Sequence, residues 1–269
     1  MTSKLSRRSL LNVLLSSAAL GVTSACSTSN PSAKVSNQIG LKSQIIDNPG
    51  VQLYSVRESL KQASGDTFHR LAGMGYKHAE WFDVTALDVL AGEAQSEGLV
   101  ISSCHVLSPF ISGDDQLLKS HGVSLPEAFN SPEKLIDKLN HYGIKNVVLS
   151  YLFEIERENI SQYQRLSEQL NKVGELCSSA GIQLCYHNHE FEFMKLDGMV
   201  PFELLRSELD PKWVKFELDV FWLAYAGLNP VEIIHSLKDR CGLFHLKDFK
   251  PIPKNSVDEP PKVEQFKPL

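Results

Sequence analysis

Three short stretches of the sequence concentrate imidazoles and carboxylates: Tyr186-His187-Asn188-His189-Glu190-Phe191-Glu192, Phe216-Glu217-Leu218-Asp219-Val220-Phe221-Trp222 and Phe244-His245-Leu246-Lys247-Asp248. Each follows an apolar run of strand character, so the polar groups fall at strand ends. Side chains alternate along a strand, which places His187 and His189 on one face and His245 with Lys247 on one face. Histidine and aspartate together are the donors that Mn, Zn, Co or Fe prefer. The same groups can carry a proton to and from a reacting atom. A lone buried histidine is more often a hydrogen-bonded core residue, a reading that several polar strand ends in succession make harder to sustain.

Strands that could hold such groups recur along the chain. An amphipathic segment, a glycine, an aliphatic or aromatic residue and a short apolar run follow one another at Gly75-Tyr76, Gly98-Leu99, Gly143-Ile144, Gly181-Ile182 and Gly242-Leu243. Glycine ends a helix cheaply in the left-handed conformation, so the unit reads as helix, cap and buried strand. Ser131-Pro132 and Asn229-Pro230 supply matching helix starts. The spacing predicts strands over 50–56, 78–82, 100–106, 146–151, 183–189, 214–220 and 243–247. Alternation of this kind makes a parallel sheet with crossover helices, and the intervals favour a (β/α)8 TIM barrel over an open doubly wound sheet. No strand is followed by a glycine-rich phosphate loop, which removes the nucleotide-binding alternatives.

The remainder of the chain bounds its class. Lys and Arg number 27 against 32 Asp and Glu, and the net charge of -5 offers no general basic surface for nucleic acid. Five scattered cysteines make neither a disulfide framework nor a paired-cysteine zinc site. Residues 1–26 read as a signal peptide: Lys4, Arg7 and Arg8 precede an apolar run from Leu10 to Val22 that is too short to span a bilayer. Ser6-Arg7-Arg8-Ser9-Leu10-Leu11 resembles the bacterial twin-arginine export signal, and Thr23-Ser24-Ala25-Cys26 resembles a lipoprotein cleavage box with an acylated cysteine. The expectation is a protein exported from a bacterial cytoplasm, periplasmic or at the outer surface, touching a membrane only through that anchor. Residues 27–48 read as a flexible tether and residues 49–269 as the barrel.

From Gly50 to about Lys250 the chain resembles the xylose-isomerase-like barrel family of sugar phosphate isomerases and epimerases, which also includes endonuclease IV-type repair enzymes. The likeness rests on Gly50-Val51-Gln52-Leu53-Tyr54-Ser55-Val56-Arg57, Gly75-Tyr76-Lys77-His78-Ala79-Glu80, Tyr186-His187-Asn188-His189, Leu218-Asp219-Val220-Phe221-Trp222 and His245-Leu246-Lys247-Asp248, in that order. It implies one divalent metal ion, of the Mn, Zn, Co or Mg kind, held by groups from strands five to eight. Asp219 and His245 match the middle two positions, and His187 stands where the family usually has Glu, with Glu190 and Glu192 as nearby substitutes. After Lys250 come Pro251, Pro253, Pro260, Pro261 and Pro268, with no eighth strand, last helix or fourth ligand before Leu269. The expected fold is therefore a TIM barrel lacking its eighth strand and last helix, read as a fragment ahead of a decayed barrel.

Such a metal would polarise the carbonyl and adjacent hydroxyl of a sugar while a base removes the neighbouring C–H proton. His189 and Glu190 are the candidate bases, Lys247 could neutralise the developing oxyanion, and His105 could shuttle a proton or bind a hydroxyl. Tyr54 and Trp222 could stack on a sugar ring, and Glu80 could bind a hydroxyl. Ordinary packing serves equally for Tyr54 and Trp222, an ion pair or helix cap for Glu80, and a hydrogen-bonded histidine under a loop for His105. The implied function is a metal-dependent isomerase or epimerase acting on an unphosphorylated sugar, a keto-sugar or a 3-keto-glycoside. An exported sugar-binding barrel without turnover is the alternative, and a DNA repair nuclease is a weaker third.

Overall fold

The computed structural model describes residues 49–120, 122–249 and 266–267. The export signal, cleavage box and tether read from residues 1–48 lie outside the described residues. Seven parallel strands form one sheet in chain order: β1 (Gly50–Gln52), β2 (His78–Trp81), β3 (Val100–Val106), β4 (Asn146–Leu149), β5 (Gln183–His187), β6 (Val214–Asp219) and β7 (Cys241–His245). Two further segments, β8 (Asp248–Phe249) and β9 (Phe266–Lys267), pair antiparallel outside that sheet. Helices fill the crossovers, the longest being Ile160–Ser179 between β4 and β5. No eighth parallel strand occurs among the described residues. No helix among them is long and apolar enough to cross a membrane.

Four of the five glycine signals end helices as the sequence predicts. Gly75, Gly98, Gly143 and Gly181 have φ of 94, 81, 71 and 73°. The residue after each donates its N–H to the carbonyl five positions back: Tyr76 to Leu71, Leu99 to Ala94, Ile144 to Leu139 and Ile182 to Cys177. This is the Schellman closure, and the buried Leu99, Ile144 and Ile182 supply its apolar contact before the chain enters the next strand. Ser131 and Asn229 cap their helices by accepting the backbone N–H groups of Lys134 and Val231, each with proline next in the chain.

The fifth glycine corrects the pattern. Gly242 lies inside β7, which starts at Cys241 and not at Leu243; the helix Pro230–Leu237 is capped by Lys238 at φ 52°, and a 3-10 turn Lys238–Arg240 leads into the strand. Glycine is needed there for space: a Cβ would stand 3.1 Å from Cys185 Sγ and 3.3 Å from Lys215 Cβ. Several strands are also shorter than expected. β1 stops at Gln52 because its side-chain oxygen accepts the Tyr54 N–H at 2.6 Å and turns Leu53–Val56 into a 3-10 helix. β4 and β5 end at Leu149 and His187, so His189 lies beyond the strand; β7 ends at His245, so Lys247 does too.

The sheet sorts its residues by alternation. Ala79, Trp81, Cys104, Val106, Val147, Leu149, Leu184, Tyr186, Phe216 and Leu218 face the helices and join one apolar core. Phe68 stacks on Trp81 and Phe202 tilts against Phe216, bringing helix faces onto strands. The opposite face carries Glu80, His105, His187, Glu217, Asp219 and His245. Contacts among these show how strongly the sheet curls: β3 meets β6 and β2 meets β7 across the interior. This is the parallel, helix-wrapped curl of a TIM barrel built from seven strands.

Gly242→Val tests how tightly β7 is seated. A branched side chain against Cys185 and Lys215 has no room, and overpacking of this kind costs about 1–3 kcal/mol. The urea midpoint should fall accordingly; an unchanged midpoint would mean that β7 is free to shift outward.

Candidate functional site

The deepest polar layer joins five strands. His105 Nε2, on β3, donates to Glu217 Oε2 on β6 at 2.7 Å and lies 3.0 Å from Glu80 Oε1 on β2. His187 Nδ1, at the end of β5, donates to the same Glu217 oxygen at 2.9 Å. His245 Nε2, at the end of β7, donates to Glu80 Oε1 at 2.5 Å, and Ser103 Oγ donates to the other Glu80 oxygen at 2.6 Å. His105, His187, Glu217 and His245 bring one ligand atom each to within 4.8 Å of one another, a group that could hold a metal ion.

Burial works to discharge every member, and pairing decides which stay charged. Desolvation lowers the His105 imidazole, yet the Glu217 and Glu80 carboxylates outweigh it and hold the group up at about 9. His245 is raised in the same way by Glu217, Asp219 and Glu80 against its burial. His187 is driven well below the usual imidazole range by burial and by the neighbouring His245. Burial would raise Glu80, but His105 and His245 hold it well below the ordinary carboxylate value.

One residue pair nearer the strand ends lies a second face. Asp219 is fully buried, and its Oδ2 stands 3.7 Å from both His187 Nε2 and His245 Nδ1. Lys247 Nζ donates to that same oxygen. The other Asp219 oxygen caps the helix Val220–Tyr225 by accepting the Phe221 and Trp222 N–H groups, while Asn188 accepts the Asp219 N–H. Burial pushes this carboxyl up, but Lys247 and His245 prevail and keep it ionised far into acid. His245 Nδ1 is buried with no partner.

Beside this face the chain leaving β5 carries the candidate bases. The His189 ring lies 5.0 Å from His187 and 5.1 Å from Trp222, and stacks on Phe191 at 5.4 Å with Tyr151 edge-on. Desolvation lowers its imidazole to about 3, so the ring is neutral with a lone pair available. His189 Nδ1, Glu190 Oε2 and Trp222 Nε1 are buried without partners. The turn is pinned from below by Glu192, which is 0% exposed. Its two oxygens accept the Tyr186 hydroxyl at 2.7 Å and the His189 backbone N–H at 2.8 Å.

The structure thus brings His105, Glu80, His187, His189, Asp219, Trp222, His245 and Lys247 around one interior, with Glu190 on the same loop. Glu80, expected to meet a sugar hydroxyl, has both oxygens engaged with histidines and Ser103, and His105 sits below the mouth between two carboxylates. Tyr54 is 54% exposed on the turn after β1, under the Arg57 guanidinium and against Phe82. Sequence reasoning missed Glu217, although its signal was present, since alternation puts Glu217 on the face of Asp219. It also weighed Glu192 only as a substitute ligand; the structure makes it a support for the loop.

Glu192 makes a pH-dependent contribution. Burial pushes its carboxyl up to about 7, against its two donors, from an ordinary value of 4.5. Between those values the unfolded chain has released the proton and the native one has not, so native stability falls as pH rises from about 4.5 to about 7. Glu192→Gln lacks this decline. Its stability relative to the parent should therefore improve by on the order of 1–3 kcal/mol between pH 4.5 and pH 8, read from urea midpoints. A difference independent of pH would disprove the assignment.

The sequence profile of the xylose isomerase-like TIM barrel family matches residues 68–266. An inosose dehydratase of Clostridium botulinum (strain Alaska E43 / Type E3) is 32% identical over 93 residues, 35% of this chain and 30% of that protein. The inosose dehydratase of Geobacillus kaustophilus (strain HTA426) is 29% identical over 96 residues, 36% of this chain and again 30% of the relative. The matched stretch therefore spans under a third of these curated relatives. A sugar phosphate isomerase/epimerase from Parabacteroides distasonis ATCC 8503 superimposes with a TM-score of 0.63 at 26% identity, covering 78% of this chain and 80% of that one. A probable 3-DHS dehydratase from Bacillus anthracis shares the fold, with a TM-score of 0.57 at 14% identity over 83% and 84% of the two chains. With its profile match running through most of the barrel, the chain belongs to the xylose isomerase-like TIM barrel family.

Proposed function

We propose that the protein is a divalent-metal-dependent enzyme that removes a proton from the carbon beside the carbonyl of a sugar, a keto-sugar or a 3-keto-glycoside. The observation that carries this reading is the face made by His187 Nε2, Asp219 Oδ2 and His245 Nδ1, beside the unpartnered His189 Nδ1, Glu190 Oε2 and Trp222 Nε1. Two imidazoles and a carboxylate suit a divalent ion, and the buried, unpaired His245 nitrogen is a donor atom lacking an acceptor or a cation. His187, Asp219 and His245 would hold the ion, which supplies polarisation of the substrate carbonyl and its adjacent hydroxyl.

The chain's own groups account for the proton. His189 or Glu190 takes it from carbon, and the C–H electron pair moves into the carbonyl to leave an enediolate. The Lys247 ammonium, held against Asp219, faces that negative charge. Returning the proton to the former carbonyl carbon, while the adjacent hydroxyl gives its own proton to the former carbonyl oxygen, isomerises the sugar; returning it to the opposite face of the original carbon epimerises it. Where the next carbon bears a hydroxyl or alkoxyl group, the electrons instead expel it, with a proton, as water or alcohol. The inosose dehydratase relatives support this eliminating branch, and the Parabacteroides neighbour supports the isomerising one. Phe191, Tyr151 and Trp222 pack around the His189 ring.

Metal-loaded protein should take deuterium from heavy water into a carbon-bound position of at least one aldose, ketose, inosose or 3-keto-glycoside, followed by NMR. One of His189→Asn and Glu190→Gln should slow that exchange about 10²–10⁴-fold with metal content unchanged. Binding of a sugar with neither exchange nor elimination would replace the enzyme with an exported sugar-binding barrel.

Export through the twin-arginine route is part of the same proposal, supported by Arg7-Arg8 and Cys26. Changing Arg7→Lys together with Arg8→Lys keeps the charge and should leave the protein in the cytoplasm by cell fractionation. A double variant exported as well as the parent rules the route out.

A further inference from the structure

We infer that Glu217 and Glu80 are positioning residues that fix which ring nitrogen of His187 and of His245 faces the metal. The inference rests on the metal-enzyme reading above and adds an atomic assignment to it: the ion meets His187 through Nε2 and His245 through Nδ1. Glu217 Oε2 contacts two imidazole nitrogens, His105 Nε2 and His187 Nδ1. An ionised carboxylate offers only lone pairs, so a ring nitrogen at hydrogen-bond distance from it is the one that bears the hydrogen. His187 Nδ1 therefore carries hydrogen, and in the neutral ring the lone pair lies on Nε2. Glu80 Oε1 does the same for His245 Nε2, with Ser103 holding the carboxylate from its other oxygen. The lone pair of a neutral His245 then lies on Nδ1, the atom that is buried without a partner.

Distances separate this arrangement from its rival, in which the ion sits among His105, Glu217 and the opposite nitrogens of His187 and His245. The inner contacts, at 2.5, 2.7 and 2.9 Å, are hydrogen bonds already formed. The outer pairs, at 3.7 Å, are too long for hydrogen bonds. They approach the roughly 3.4 Å that separates two ligands lying about 2.1 Å from one tetrahedral ion. The Lys247 ammonium, which rests on Asp219 Oδ2, shows that this oxygen is open to a cation. Imidazole ligands in metal sites characteristically give their second N–H to a carboxylate, which fixes ring orientation and raises ligand basicity.

Long-range proton–nitrogen NMR of the full chain labelled with 15N-histidine reads the tautomers directly. With Zn2+ added, His187 should be protonated on Nδ1 and His245 on Nε2, the other nitrogen of each showing the metal shift. Glu217→Gln and Glu80→Gln should each weaken Zn2+ binding about 10–100-fold by calorimetry while keeping one ion per chain. Asp219→Asn should lose the ion. Zn2+ on His187 Nδ1 or His245 Nε2, or loss of the ion in Glu217→Gln with Asp219→Asn still loaded, would overturn the assignment and leave the metal enzyme standing. Failure of the parent to bind Zn2+, Mn2+ or Co2+ would overturn both. Should a variant not fold, the tautomers of the parent decide the question.

Discussion

Charge that cannot reach water must find charge, and the interior of this barrel is organised by that constraint. Glu80, His105, His187, Glu217, Asp219 and His245 come from five strands and lie almost wholly out of solvent. An isolated ion there would be unaffordable, and removal of one member of such a pair is commonly worse than replacing both. The groups answer by bonding across the sheet, β2 to β7 and β3 to β6. Those bonds form only if the sheet curls enough to bring β2 to β7 and β3 to β6 across its interior. The site therefore depends on the curl, and the curl is recorded in the site.

Two layers result from a residue step of two along β6. Glu217 lies deeper and Asp219 nearer the strand end, and each addresses an opposite edge of the same imidazoles. The helix-facing residues that alternate with them, Phe216 and Leu218, anchor the strand in apolar packing and keep that register from slipping. Above the layers, the turn after β5 is stiffened by Glu192 beneath and by aromatic rings around His189. Surrounded by rings, the His189 imidazole is neutral with its lone pair free, and its low pKa makes it a weak base.

Much of this arrangement was legible in the sequence. The glycine caps and capping prolines located most helix ends, because both act through backbone geometry within a few residues. His187, Asp219 and His245 were legible because polar residues interrupting an apolar strand at its end have few structural uses. Partnerships were not legible: Glu80 and His245 are far apart in the chain, and only the curvature of the sheet brings them together. Gly242 misled because glycine serves left-handed turns and close packing alike, and only the neighbouring Cys185 distinguishes the two. β1 ended early through a local side-chain bond from Gln52 that competes with the ladder.

Asp219 has one further consequence through the helix it caps. Its two oxygens divide their work: one holds the first turn of Val220–Tyr225 and the other faces the imidazoles and Lys247. Trp222 rides on that first turn, so the carboxylate and the indole move as a single rigid piece. Divergence among related barrels has little freedom to alter the spacing between them without losing the helix start. The chain from His189 to Phe193 is under a different restraint, being fastened through Glu192, with the His189 ring resting against that indole. A change that moves the Asp219 carboxylate therefore moves the indole with it.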